Sequence, residues 1–95
     1  MKIQDQLREL EALAEKKEIR VSYEAIGGEV GAGGLCKVHG AYRVIIDKRA
    51  SVGERLTVLA RALSTFPMDD IYLTPELREV IEKAAQFRRR GRRPV

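Results

Sequence analysis

A single cysteine, Cys36, excludes an internal disulfide in this 95-residue chain and suits a reducing compartment. Tryptophan is absent, and Tyr23, Tyr42, Tyr72, Phe66 and Phe87 are the only aromatics, so the core must be mostly aliphatic. Soft metal ligands are nearly lacking too. Cys36 and the one histidine, His39, lie on the same short strand segment at a spacing that sends their side chains to opposite faces. No apolar run approaches the roughly 20 residues a bilayer-spanning helix requires. The opening Met1-Lys-Ile-Gln-Asp-Gln-Leu-Arg-Glu9 has no apolar stretch of the signal-peptide kind. Together these absences point to a cytoplasmic protein with no cofactor and no membrane partner.

Charge is unevenly spread. The net charge is +4, from 18 Lys and Arg against 14 Asp and Glu. Five of the arginines, Arg88, Arg89, Arg90, Arg92 and Arg93, stand in the last eight residues. Without them the body is close to neutral. A globular domain over 1–87 followed by a flexible basic tail over 88–95 is the organisation this implies. The tail can contact phosphates without reading sequence, but no aromatic is interleaved to stack on bases. As a solubilising terminus it would also complement the negative end of the preceding helix.

Periodicity places the elements. Ile3, Leu7, Leu10 and Ala14 form one stripe, with Leu13 beside it, in a helix over 2–18. Ile19-Arg-Val-Ser-Tyr23 alternates, predicting a strand with Ile19, Val21 and Tyr23 facing inward. Residues 35–47 read as a β-hairpin with His39-Gly40 at its tip. A two-residue turn pairs Leu35 with Val44 and Cys36 with Arg43; a three-residue turn shifts that register. Ser51-Val-Gly-Glu54 is a capping box, opening a helix over 52–66 with Leu56, Leu59, Ala60, Leu63 and Phe66 on its apolar stripe. Pro67 stops it. Thr74-Pro75 opens a third helix over 75–89, with Leu77, Val80, Ile81 and Ala84 inward and Phe87 extending the stripe. The expected fold is α+β, with a small antiparallel sheet of about three strands packed on one side by helices.

Little in the chain carries chemistry. Residues 27–34 hold five of the eight glycines, yet no Gly-Lys-Ser/Thr and no helix follows, so they read as a connector rather than a phosphate loop. Asp69-Asp70 follows Pro67 in a turn, where aspartate is a common turn former. Cys36 has no acid–base partner in the sequence. A hydrolase built on Cys36 or Asp69-Asp70 is a remote reading.

The order helix, strand, glycine-rich turn, hairpin and capped helix resembles the core of the ImmA/IrrE-like zinc metallopeptidases. In that family a phrase like Ile-Ile-Asp leads into a helix bearing Leu-Ala-His-Glu-Leu-x-His. Here the helix reads Leu59-Ala60-Arg61-Ala62-Leu63-Ser64-Thr65. The packing positions Leu59, Ala60 and Leu63 match. Arg61, Ala62 and Thr65 stand where the family has its first zinc histidine, its catalytic glutamate and its second histidine. The resemblance, over about residues 6–66, therefore implies a zincin-like scaffold without the peptidase site or its metal.

The sequence leads to a non-catalytic interaction module that binds a protein partner or itself. One sheet face would stay open, with Val21, Val38 and Ile45 as its apolar patch. The alternative is a nucleic-acid-binding accessory protein acting through Arg88, Arg89, Arg90, Arg92 and Arg93.

Overall fold

The first two helices end on devices written in their local sequence. The computed structural model describes residues 2–26 and 33–91, with side chains described to Gln86. Helix α1 covers Ile3–Lys16 and buries Leu7, Leu10, Leu13 and Ala14. Its end is a Schellman motif: the Ile19 N–H donates to the Ala14 carbonyl at 2.9 Å and the Glu18 N–H to the Glu15 carbonyl at 3.0 Å. Glu18 takes the left-handed conformation, φ 60°, that this motif requires. Ile19 and Ala14, both buried, close the apolar contact that accompanies it. The helix is thus shorter than the 2–18 periodicity suggests, because its last turn is spent on the reversal into β1 (Arg20–Glu24).

Strands β2 (Gly33–Val38) and β3 (Ala41–Asp47) form the hairpin. His39 and Gly40 have φ of 50° and 82°, the signature of a two-residue type I′ turn. That turn sets the register, pairing Leu35 with Val44 and Cys36 with Arg43. Helix α2 (Val52–Leu63) begins at the capping box: Ser51 N–H donates to Glu54 Oε1 at 2.9 Å and Glu54 N–H to Ser51 Oγ at 3.2 Å. It stops at Leu63, not at Phe66; Ser64 and Thr65 hydroxyls donate to the carbonyls of Arg61 and Ala62, and the chain turns before Pro67. Phe66 still packs inward, edge-on to Tyr42 with ring centroids 4.9 Å apart. Thr74 caps α3 (Pro75–Gly91), its Oγ1 accepting the Leu77 N–H at 3.3 Å.

The sheet corrects one expectation. It is mixed, in the order β1-β3-β2, with β1 parallel and β2 antiparallel to β3. The physical reason lies in the connection. Residues 25–32 join β1 to β2 without pairing them, and the tight hairpin then returns β3 into the space between. The strand richest in β-branched residues, with Val44, Ile45 and Ile46, so becomes the central one, hydrogen-bonded on both edges.

Helices α1 and α2 pack on one face of this sheet, and α3 packs against those two helices. Val44 and Ile46 on β3 are fully buried, with Leu10 of α1 and Leu59 and Leu63 of α2 beside them. Ile19, Leu73, Leu77 and Ile81 complete the core, with Val21 and Leu35 half-buried against it. No polar or charged residue is buried among the described residues. Side chains on opposite elements pin the layers. The Tyr23 hydroxyl donates to Glu11, joining β1 to α1, and the Arg55 guanidinium lies 5.0 Å from the Tyr23 ring centroid. Arg55 also donates to the carbonyls of Ala50 and Lys48, at 3.0 and 2.8 Å, tying α2 to the turn after β3.

Candidate association surface

Strand alternation sends every second residue to the face away from the helices. Because register partners share a face, the pairings lay this outer surface out as rungs. At one end Val38 of β2 pairs with Ala41 of β3. Next comes Cys36, Arg43 and, across the parallel pairing, Arg20. The following rung is Gly34, Ile45 and Ser22. The last described rung is Asp47 with Glu24.

Among the described residues no helix packs on this face: the helix-to-strand contacts of α1 and α2 are accounted for by the inner side, where Val21, Leu35, Val44 and Ile46 lie. Val38 is 41% exposed and Ile45 is half-buried. Two of the three apolar residues expected on the open face are therefore there. Val21 is not. It pairs with the fully buried Val44 and packs against the core, because a strand cannot present the same residue to both faces. Cys36 joins the outer face in its place.

Two glycines at the start of β2 behave in opposite ways. Gly33 has φ 135°, and a Cβ there would lie 2.0 Å from the Ile45 carbonyl oxygen, so only glycine fits. Gly34, on the outer face, would place a Cβ with nothing within 4 Å. The fold does not require a glycine at 34. The surface there is simply left low, beside Ile45.

Charges on this face are sorted by rung. Arg20 and Arg43 are side by side, and neither has an ion-pair partner among the described residues. Like charges directly across a ladder weaken it. At the other end Glu24 and Asp47 repeat the pattern with opposite sign. Glu24 accepts from the Ser22 hydroxyl at 2.9 Å, and Asp47 accepts the Arg49 N–H at 3.0 Å and pairs with the Arg49 guanidinium at 3.6 Å. The two charged rungs are separated by four residues of strand, roughly 13 Å.

The other residues singled out in the sequence do not converge. His39 is an exposed turn residue. Asp70 lies on the helical side, where Lys17 Nζ donates to its carboxylate at 2.8 Å and holds its pKa below the usual range. Cys36 is on the opposite face of the sheet, so no nucleophile and base come together. Arg61 is exposed, Ala62 is buried and Thr65 lies beyond the end of α2. These three supply no zinc-binding atoms of the kind a peptidase uses, and among the described residues no group of three His, Cys, Asp or Glu is placed to hold a metal. The Tyr23 pKa is pushed up to about 12, chiefly by burial and then by its hydrogen bond to Glu11, which marks a structural contact rather than a reactive phenol. Among the described residues no helix is long and apolar enough to cross a membrane. The arginines at 88–93 fall outside the described side chains; α3 carries the backbone as far as Gly91.

Compared with protein-family models, curated proteins and solved structures, the chain matches none.

Proposed function

We propose that this protein is a non-catalytic interaction module that uses the open face of its sheet to bind a protein partner or a second copy of itself. The observation that carries this reading is the outer surface of β2 and β3. Val38, Cys36, Gly34 and Ile45 form a low, partly apolar strip on the hydrogen-bonded scaffold of a three-stranded sheet. A sheet stabilised from one side by helices can dedicate the other to recognition without weakening its core. The resemblance of α2 to a zincin helix fits the same picture, of a scaffold in which packing positions are kept and chemical positions are not.

The test uses Gly34→Arg, which fills the strip at a position where the fold leaves room. Sedimentation of the full chain and pull-downs from cell extract are compared with the variant. Association that is present in the parent and lost in the variant, with unchanged circular dichroism, is the expected result. A monomer that retains no partner in either form ends this reading.

The clustering of Arg88, Arg89, Arg90, Arg92 and Arg93 supports a second reading, in which the same module carries a nucleic-acid contact. Fluorescence anisotropy with labelled DNA and RNA in a salt series, on the full chain and on a chain ending at Phe87, separates the two. Neutralising about five phosphates gives a log–log salt slope near −4 to −5 on duplex DNA. Absence of binding near physiological salt removes the second reading and leaves the first untouched.

A further inference from the structure

The sorted charges say which partner suits this face and how it sits. We infer that the open sheet face binds a second copy of the chain, face to face, about a two-fold axis that runs across the strands at Ile45. This inference rests on the proposed role of the face and adds its occupant and orientation.

Symmetry and the sign of each rung fix the axis. Two sheets packed face to face keep their strands within about 30° of parallel or antiparallel. A two-fold axis lying between them can run along the strands or across them. An axis along the strands keeps each rung at its own level, setting Arg43 over Arg43 and Asp47 over Asp47. Both ends then repel. An axis across the strands at Ile45 reverses the strand direction and exchanges the rungs on either side. Arg43 of one copy then stands over Asp47 of the other, and Arg20 over Glu24, each contact occurring twice. Ile45 meets its own counterpart at the centre, next to the space left by Gly34.

The same arrangement accounts for two features that the isolated chain does not explain. Arg20 and Arg43, like-charged within one rung and without an ion-pair partner among the described residues, oppose the sheet that contains them, and a copy bringing the opposite rung relieves them. Gly34 sits where a side chain would fit without strain but would hold the two sheets apart. The described face is roughly 14 Å wide and 20 Å long, below the ~800 Å² per partner of a standard interface once side-chain relief is added. A reversible dimer that weakens with salt is the form such a surface supports.

Charge exchange at Arg20 and Glu24 tests it, since both are exposed and neither substitution disturbs the core. Sedimentation velocity across a concentration series at low salt should show the parent protein dimerising. Arg20→Glu sets Glu against Glu24 of the partner copy, and Glu24→Arg sets Arg against Arg20. Each should raise the dimer dissociation constant at least about tenfold. An equimolar mixture of the two variants should recover a heterodimer, and a chain carrying both substitutions should recover a homodimer. Circular dichroism checks that every variant is folded. Failure of the mixture to recover, or single variants that dimerise like the parent, overturns the axis. A parent monomeric throughout overturns the dimer altogether. If that monomer still loses a heterologous partner on Gly34→Arg, the interaction-module reading stands alone; if no partner is lost, both fall.

Discussion

Alanine at Gly33 and alanine at Gly34 should push stability in opposite directions, although the residues are neighbours in one strand. At Gly33 the backbone has φ 135°, a region that an L side chain enters at a cost of about 1–3 kcal/mol. The new Cβ would also lie 2.0 Å from the Ile45 carbonyl oxygen, so β3 must move. A strained ladder hydrogen bond there costs about 1 kcal/mol more. Restricting the unfolded chain returns about 0.4–1 kcal/mol. The net loss is about 2–3 kcal/mol, a sizeable fraction of the ~5–14 kcal/mol expected for a chain of this length. Gly34→Ala meets no neighbour, so only the unfolded-state effect remains, a gain of about 0.4–1 kcal/mol. In thermal unfolding followed by circular dichroism, Gly33→Ala should lower Tm by about 10–20 °C while Gly34→Ala raises it by a few degrees, roughly. The scans belong at dilute protein, where association does not contribute. Equal midpoints for the two variants would refute the reasoning.

Glu18 holds a left-handed conformation at the end of α1, so Glu18→Gly should stabilise by about 0.5–1 kcal/mol in urea unfolding. A loss instead would mean that the Glu18 side chain contributes more than its backbone costs. Ser51→Ala removes one half of the capping box and should cost about 1 kcal/mol, read as a lower urea midpoint at unchanged slope. Burial, and then the hydrogen bond to Glu11, raise the Tyr23 pKa from its ordinary value near 10 to about 12. A raised folded pKa stabilises below the unfolded pKa, so this contribution should be intact up to about pH 10 and decline toward pH 12. Tyr23→Phe should flatten that alkaline decline, and an identical pH profile in parent and variant would show that Tyr23 is not its source.

Features that depend on neighbours within about five residues are legible without the fold. The capping box at Ser51 and Glu54, the Thr74 cap, the apolar stripes of all three helices and the His39-Gly40 turn are of this kind. Hydrogen-bond reach, turn dihedrals and the helical repeat all act over that range. Even the register of the hairpin follows once the turn is known to hold two residues. The outward direction of Val38 and Ile45 is set by the same alternation. Helix ends are less legible, since at Lys16 and Leu63 a reversal competes with a pattern that would otherwise continue.

Long-range pairing is what tertiary structure alone decided. Nothing local distinguishes a β1 that runs parallel to β3 from one that pairs antiparallel with β2, because both bury Val21 and leave Ser22 outward. The choice falls to whichever arrangement seats the most apolar strand in the middle and covers Val44 and Ile46 with Leu10, Leu59 and Leu63. That choice also created the candidate surface. Arg20 and Arg43 are far apart in the chain, as are Glu24 and Asp47, and each pair becomes a charged rung only through the parallel register of β1 with β3. Composition determined an aliphatic core with almost no metal ligands and periodicity an α+β body; the crossing of one strand determined where its charges meet.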